Sequence, residues 1–113
     1  MDNELSKRLF WFAVNTIKYL KTPPNSIEIT VIKYQLSKSS FSAGANYEEA
    51  QGASSRADFK NKVYITLKEM RESNYWIRIM GELNLGQTEG LNKLLVESEE
   101  LKKILGSITS KMK

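Results

Sequence analysis

Pro23 and Pro24, the only prolines in the sequence, stand side by side in the stretch KTPPNS. Two prolines in series cannot continue a helix, because neither offers an amide proton and each restricts the residue before it to extended geometry. They close a first helical segment, and Asn25 and Ser26 follow as candidates to cap a second. A second break, GASS at residues 52–55, leads into Ser55-Arg56-Ala57-Asp58. This S-x-x-D pattern is close to a capping box, with Ser55 and Asp58 placed to satisfy free amides at a helix start. A third break is NLGQTEG, where Gly86 is expected to take the left-handed position after one helix and Thr88 the N-cap of the next.

Four segments remain, over residues 4–20, 26–52, 55–84 and 88–111, each long enough to be a packed helix. The first carries Leu5, Leu9, Phe12, Thr16 and Leu20 on one face. The last carries Leu91, Leu94, Leu101, Leu105, Ile108 and Met112 at alternating three- and four-residue spacing, with Ser98 in the gap. A brief strand-like alternation, Ile27-Glu28-Ile29-Thr30-Val31, gives way to the helical set Ile29, Ile32 and Leu36. Short connections between long helices favour a single all-α domain over residues 1–113, an up-down-up-down antiparallel four-helix bundle.

Composition narrows the function classes. The sequence has no cysteine and no histidine. The usual zinc ligands, the usual general base and the most reactive nucleophile are therefore missing, and neither a metal, a cofactor nor an enzymatic activity is expected. Apolar residues at 41% and charged residues at 27% are those of a globular protein. No apolar run approaches the roughly 20 residues of a membrane span. The start, MDNELSKRLFWF, meets charge early and does not read as a secretory signal, so a cytoplasmic protein is expected. The net charge of +4 is a mild basic bias, compatible with nucleic acid or acidic proteins.

The third segment divides into three faces at about 100° per residue. Phe59, Val63, Thr66, Met70 and Ile77, with Leu67 at the edge, form the core face. Ile65, Trp76, Ile79 and Leu83 fall on another side, with Met80 at its border, among Asp58, Glu69 and Glu72. A second apolar side bearing a tryptophan is expected to be an oligomer interface. The alternative is a broad core face with scattered surface residues. A third stripe holds Arg56, Lys60, Arg71 and Arg78, with Tyr64, Lys68 and Tyr75 beside it. Cations interleaved with aromatics suit a phosphate backbone with stackable bases, although most charged stripes are only solvated faces.

The second segment gives up bulk at Ser42, Ala43, Gly44 and Ala45, which allows close helix approach. Ala43, Asn46, Ala50 and Ala53 follow one stripe, so Asn46 is expected to turn inward and find its partner on the following helix. An antiparallel hairpin about residues 52–55 would bring Asn46 and Glu49 near Asp58–Lys62. It predicts an ion pair between Glu49 and Lys62, a polar cluster that sets register. Capping and ion pairing explain Glu48, Glu49 and Asp58 better than a carboxylate active site does.

The runs Gln35-Leu36-Ser37-Lys38 and Ser42-Ala43-Gly44-Ala45-Asn46-Tyr47-Glu48-Glu49-Ala50 continue through Ala57-Asp58-Phe59, Lys62, Leu67-Lys68-Glu69, Glu72 and Tyr75-Trp76. Together they resemble the family of small bacterial four-helix bundle proteins first described as products of intervening sequences within large-subunit ribosomal RNA genes. The sequence departs from that pattern at Ala43, where isoleucine or valine is frequent, and at Glu48, where arginine is common. The resemblance implies a ring-like homopentamer and a link to structured RNA or DNA. A more distant similarity is to the pentameric accessory variability proteins of retroelements, which partner a reverse transcriptase. Two function classes follow. One is a non-enzymatic homo-oligomer that binds structured RNA or other nucleic acid through its basic face. The other is an oligomeric scaffold for a protein partner, with no direct nucleic-acid role.

Overall fold

The computed structural model describes residues 4–113; the acidic opening Met1–Asn3 lies outside them. Four helices follow one another: α1 Glu4–Leu20, α2 Ile27–Gln51, α3 Arg56–Leu83 and α4 Thr88–Lys111. Each packs on its chain neighbours and α4 returns to α1, while the backbones of the diagonal pairs stay farther apart. This is the antiparallel up-down-up-down bundle, 44 Å long and 24 by 20 Å across.

The helix starts follow the capping logic. Ser26 and Ser55 sit in extended backbone and accept from the amides of Ile29 and Asp58. Asp58 returns a bond by accepting from the Ser54 amide at 3.3 Å. The third break differs from expectation. Asn84, not Gly86, adopts the left-handed conformation that ends α3 (φ 53°). Its short amide side chain tolerates that region better than most. Thr88 is the first residue of α4 rather than its cap, and the capping position falls to Gln87, whose side chain makes no capping bond.

The reason lies across the bundle. Buried Tyr19 of α1 extends into the α3–α4 connection, where its hydroxyl donates to the Gln87 carbonyl at 3.0 Å. A Cβ at Gly90 would lie 2.8 Å from the Tyr19 ring, and one at Gly86 would collide with the hydroxyl. Gly86 therefore leaves room for a tyrosine instead of supplying a left-handed turn. Burial raises the pKa of that phenol by opposing its ionised form.

The core is continuous along the bundle, from Leu9 and Phe12 through Leu36, Met70 and Ile77 to Leu101 and Leu105. Polar pairs record the register of each seam. Ser39 of α2 and Ser73 of α3, both fully buried, share a 2.7 Å hydrogen bond. Further along the same antiparallel seam, Lys62 Nζ lies 2.9 Å from Glu49 Oε1, the pair expected from the hairpin. At Gly44 α2 runs close to the α1 backbone, where an added Cβ would make ordinary contact, 3.6 Å from the Leu9 carbonyl oxygen. The α1–α4 seam is held by Arg8, which donates to both oxygens of Glu97 at 3.0 and 2.6 Å and pairs with Glu100 at 2.9 Å. Among the described residues, no helix is long and apolar enough to cross a membrane.

Candidate nucleic-acid interface

The α3 stripe is a surface feature along most of its helix. Arg56, Tyr64, Lys68, Arg71, Tyr75 and Arg78 are exposed and Lys60 is half-buried. Their three- and four-residue spacing keeps them on one side over about 33 Å, at 1.5 Å per residue. Arg56, Lys60, Lys68 and Arg71 form no ion pair with a described residue. Their charge is therefore available to solvent and to a ligand. The Arg78 guanidinium stands 5.7 Å from the centre of the Tyr75 ring. Tyr64 reaches α4, where the Thr109 carbonyl lies 3.5 Å from its hydroxyl. The stripe thus borders the α3–α4 seam.

Beneath its C-terminal half lies a residue that the reading of the sequence missed. Asn74 is fully buried. Its side-chain nitrogen donates to Ser98 Oγ at 3.0 Å and Glu99 Oε1 at 2.8 Å. Its oxygen accepts from Arg78 Nε at 2.9 Å and Lys102 Nζ at 3.1 Å. Two donors and two lone pairs are all engaged, so the amide is saturated. The hydrogen bond from Asn74 holds the Glu99 carboxyl below its ordinary range; partial burial opposes the shift, and Lys102 and Arg78 reinforce it. The buried serine at position 98, in a gap of the leucine pattern, was the available hint, but its partner lies 24 residues away.

The other expected site residues distribute unevenly. On the α3 flank, Trp76 and Ile79 are half-buried and pack against the core, Ile65 is half-buried, and Leu83 is exposed near the helix end. Met80 is fully buried, and the Trp76 indole donates to Glu72 one turn earlier at 3.2 Å. This flank is largely a shoulder of the core. Asn46 does not find its partner on α3. Its nitrogen donates to the carbonyl and hydroxyl of Ser42 at 2.9 and 3.0 Å, so its own helix satisfies it. The neighbouring Tyr47 turns into the core instead.

A second outward apolar face runs along α2. Ile27, Val31, Tyr34 and Phe41 are 84%, 51%, 64% and 54% exposed, at spacings that keep them on one side. Phe10 and Trp11 of α1 are also more than half exposed. Between α1 and α2, a groove of about 270 Å³ is lined by Leu9, Phe10, Ala13, Phe41, Gly44 and Ala45. Another, of about 700 Å³, opens between α1 and α4 beside Trp11, Asn15 and Arg8. Among the described residues, no group of three or more aspartate or glutamate side chains could hold a metal ion.

Comparison with known proteins shows which family the chain is similar to. The model of the family described as 23S rRNA-intervening sequence protein matches residues 1–107. A solved structure of a protein of unknown function, from the S23 ribosomal protein family of Bacteroides thetaiotaomicron, superposes with a TM-score of 0.80. It is 32% identical, over 93% of this chain and 97% of its own. Among curated proteins, no match was found.

Proposed function

The chain belongs to the 23S rRNA-intervening sequence protein family, and from that premise we propose that it is a non-enzymatic, homo-oligomeric bundle that binds structured RNA through α3. The observation that carries this reading is the exposed basic stripe, four of whose cations have no acidic partner among the described residues. Phosphate contacts from Arg56, Lys60, Lys68, Arg71 and Arg78 supply affinity that any nucleic acid backbone shares. Tyr64 and Tyr75, both partly exposed, offer ring faces to unstacked bases, which favours RNA loops over a continuous duplex. Assembly into a ring would repeat the stripe and multiply these contacts. Titration of the protein with a structured RNA hairpin at two salt concentrations tests the reading. Affinity that falls steeply with salt supports it, and binding that is absent or insensitive to salt removes it.

A specific observation favours a second reading, an oligomeric scaffold for a protein partner. The outward apolar face of α2 exposes more side chain than a monomer's surface needs. A stable protein complex that survives nuclease treatment, from a protein that does not bind RNA, would support the scaffold.

A further inference from the structure

We propose that Arg78 and Lys102, held together by the buried amide of Asn74, form a phosphate clamp at the α3–α4 seam. The inference rests on the RNA-binding reading and adds two residues to it: Lys102 as a binding residue and Asn74 as a positioning residue.

Arg78 and Lys102 come from different helices, yet both cations donate to the single oxygen of Asn74, at 2.9 and 3.1 Å. Two like charges drawn to one neutral atom repel each other, and among the described residues only Glu99 lies within ion-pair distance of either. Glu99 lies 3.7 Å from Lys102 Nζ and is already engaged by the Asn74 nitrogen. The cluster of Arg78, Lys102 and Glu99 therefore carries a net positive charge. Asn74 occupies one donor of each cation. The guanidinium's other donors, and the ammonium donor not turned to Asn74 or Glu99, can meet a tetrahedral anion, for which paired cations are suited. The Tyr75 ring, 5.7 Å from the guanidinium, adds a cation–π contact that helps to fix Arg78. Fixing two flexible side chains before the ligand arrives reduces the ordering cost of binding. A core position that needed only packing would be served as well by leucine, with no amide to satisfy.

The test follows the side-chain nitrogen resonances of Arg78 and Lys102 in the intact protein. Inorganic phosphate is added first, and a structured RNA hairpin in a second titration. The clamp predicts saturable movement of both resonances with both ligands. Lys102→Ala should abolish the response of Arg78 to phosphate, weaken RNA binding about tenfold and lower the salt slope by about one. Lys103→Ala, on the exposed side of the same helix, should change none of these. Asn74→Leu keeps every cation. It should weaken RNA binding by about tenfold with the salt slope unchanged, the signature of lost positioning rather than lost charge. Asn74→Ser, read alongside its melting curve, serves if the leucine variant does not fold. An Arg78 resonance unmoved by phosphate, or a Lys102→Ala variant indistinguishable from Lys103→Ala, would overturn the clamp. A phosphate response without salt-sensitive RNA binding would support the clamp and overturn the RNA reading instead.

Discussion

Helices α2 and α3 form one antiparallel seam, yet they turn opposite chemistries outward. The outer side of α3 carries cations and tyrosines, with Asn74 organising its C-terminal half from below. The outer side of α2 carries Ile27, Val31, Tyr34 and Phe41, with the exposed Lys38 between the last two. Both rows use the same three- and four-residue spacing, so helix geometry does not separate their roles. Chemistry does. A cationic row gains most from a phosphate backbone, whereas an apolar row gains most from leaving water against another protein surface. On the proposed reading, binding and assembly occupy separate faces of one bundle.

That separation can be broken one face at a time. Reversing three charges on α3, as Arg56→Glu, Lys68→Glu and Arg71→Glu together, should weaken RNA binding by about a hundredfold or more and flatten its salt dependence. Solution mass and melting temperature should stay as in the wild type, because these side chains are exposed and unpaired. A change in mass would show that the two faces are not independent.

On the other face, Val31→Asp with Phe41→Asp should disrupt assembly. Each of these side chains contributes up to about 1.5–3 kcal/mol when fully buried. Light scattering should then approach the 12.9 kDa of a single chain. The α3 stripe of each protomer would remain intact, leaving weaker but still salt-sensitive RNA binding. An unchanged mass would remove α2 from the assembly.

Gly86→Ala provides a control that touches neither face. The added methyl would displace Tyr19 from its slot at the α1–α4 end of the bundle. It should cost about 1–3 kcal/mol in chemical denaturation, as forced overpacking does. RNA affinity of the folded fraction should be unaltered.

The smallest effect concerns pH. Glu99 has a folded pKa held below its ordinary 4.5, chiefly by the Asn74 hydrogen bond. A depressed carboxylate stabilises the fold above its unfolded pKa, and that contribution is lost as pH falls through the folded value. Glu99→Gln should therefore remove part of the acid limb below about pH 4.5. The difference should be under about 1 kcal/mol, since the side chain is partly exposed and screened. Melting curves of the two proteins across pH 2–6 would resolve it.

Much of this architecture was legible because it is local. Pro23-Pro24 and the serines at 26 and 55 act on their own neighbours, and the apolar spacings of α1, α3 and α4 each name one core face. The Glu49–Lys62 pair could be anticipated because a short turn sets the hairpin register. What escaped depends on distant parts of the chain. Gly86 looked like a helix terminator, but its role is set by Tyr19, 68 residues from the carbonyl it bonds at Gln87. Asn46 looked like an inward polar residue, yet Ser42 satisfies it locally. The outward row of α2 was hidden because the inner face of that helix is built partly from Ser39, Ser40, Ala43 and Ala50, so bulk does not distinguish inside from outside. Asn74 was hidden for the converse reason: nothing in its own neighbourhood reveals the Ser98, Glu99 and Lys102 that saturate it.

The most direct test is ultraviolet crosslinking of the protein to a structured RNA hairpin, with the attached peptides identified by mass spectrometry. Binding through α3 predicts crosslinks at Tyr64 and Tyr75. Crosslinks confined to Phe10, Trp11, Tyr34 or Phe41 would place RNA on the apolar side and contradict the division of labour between the two faces.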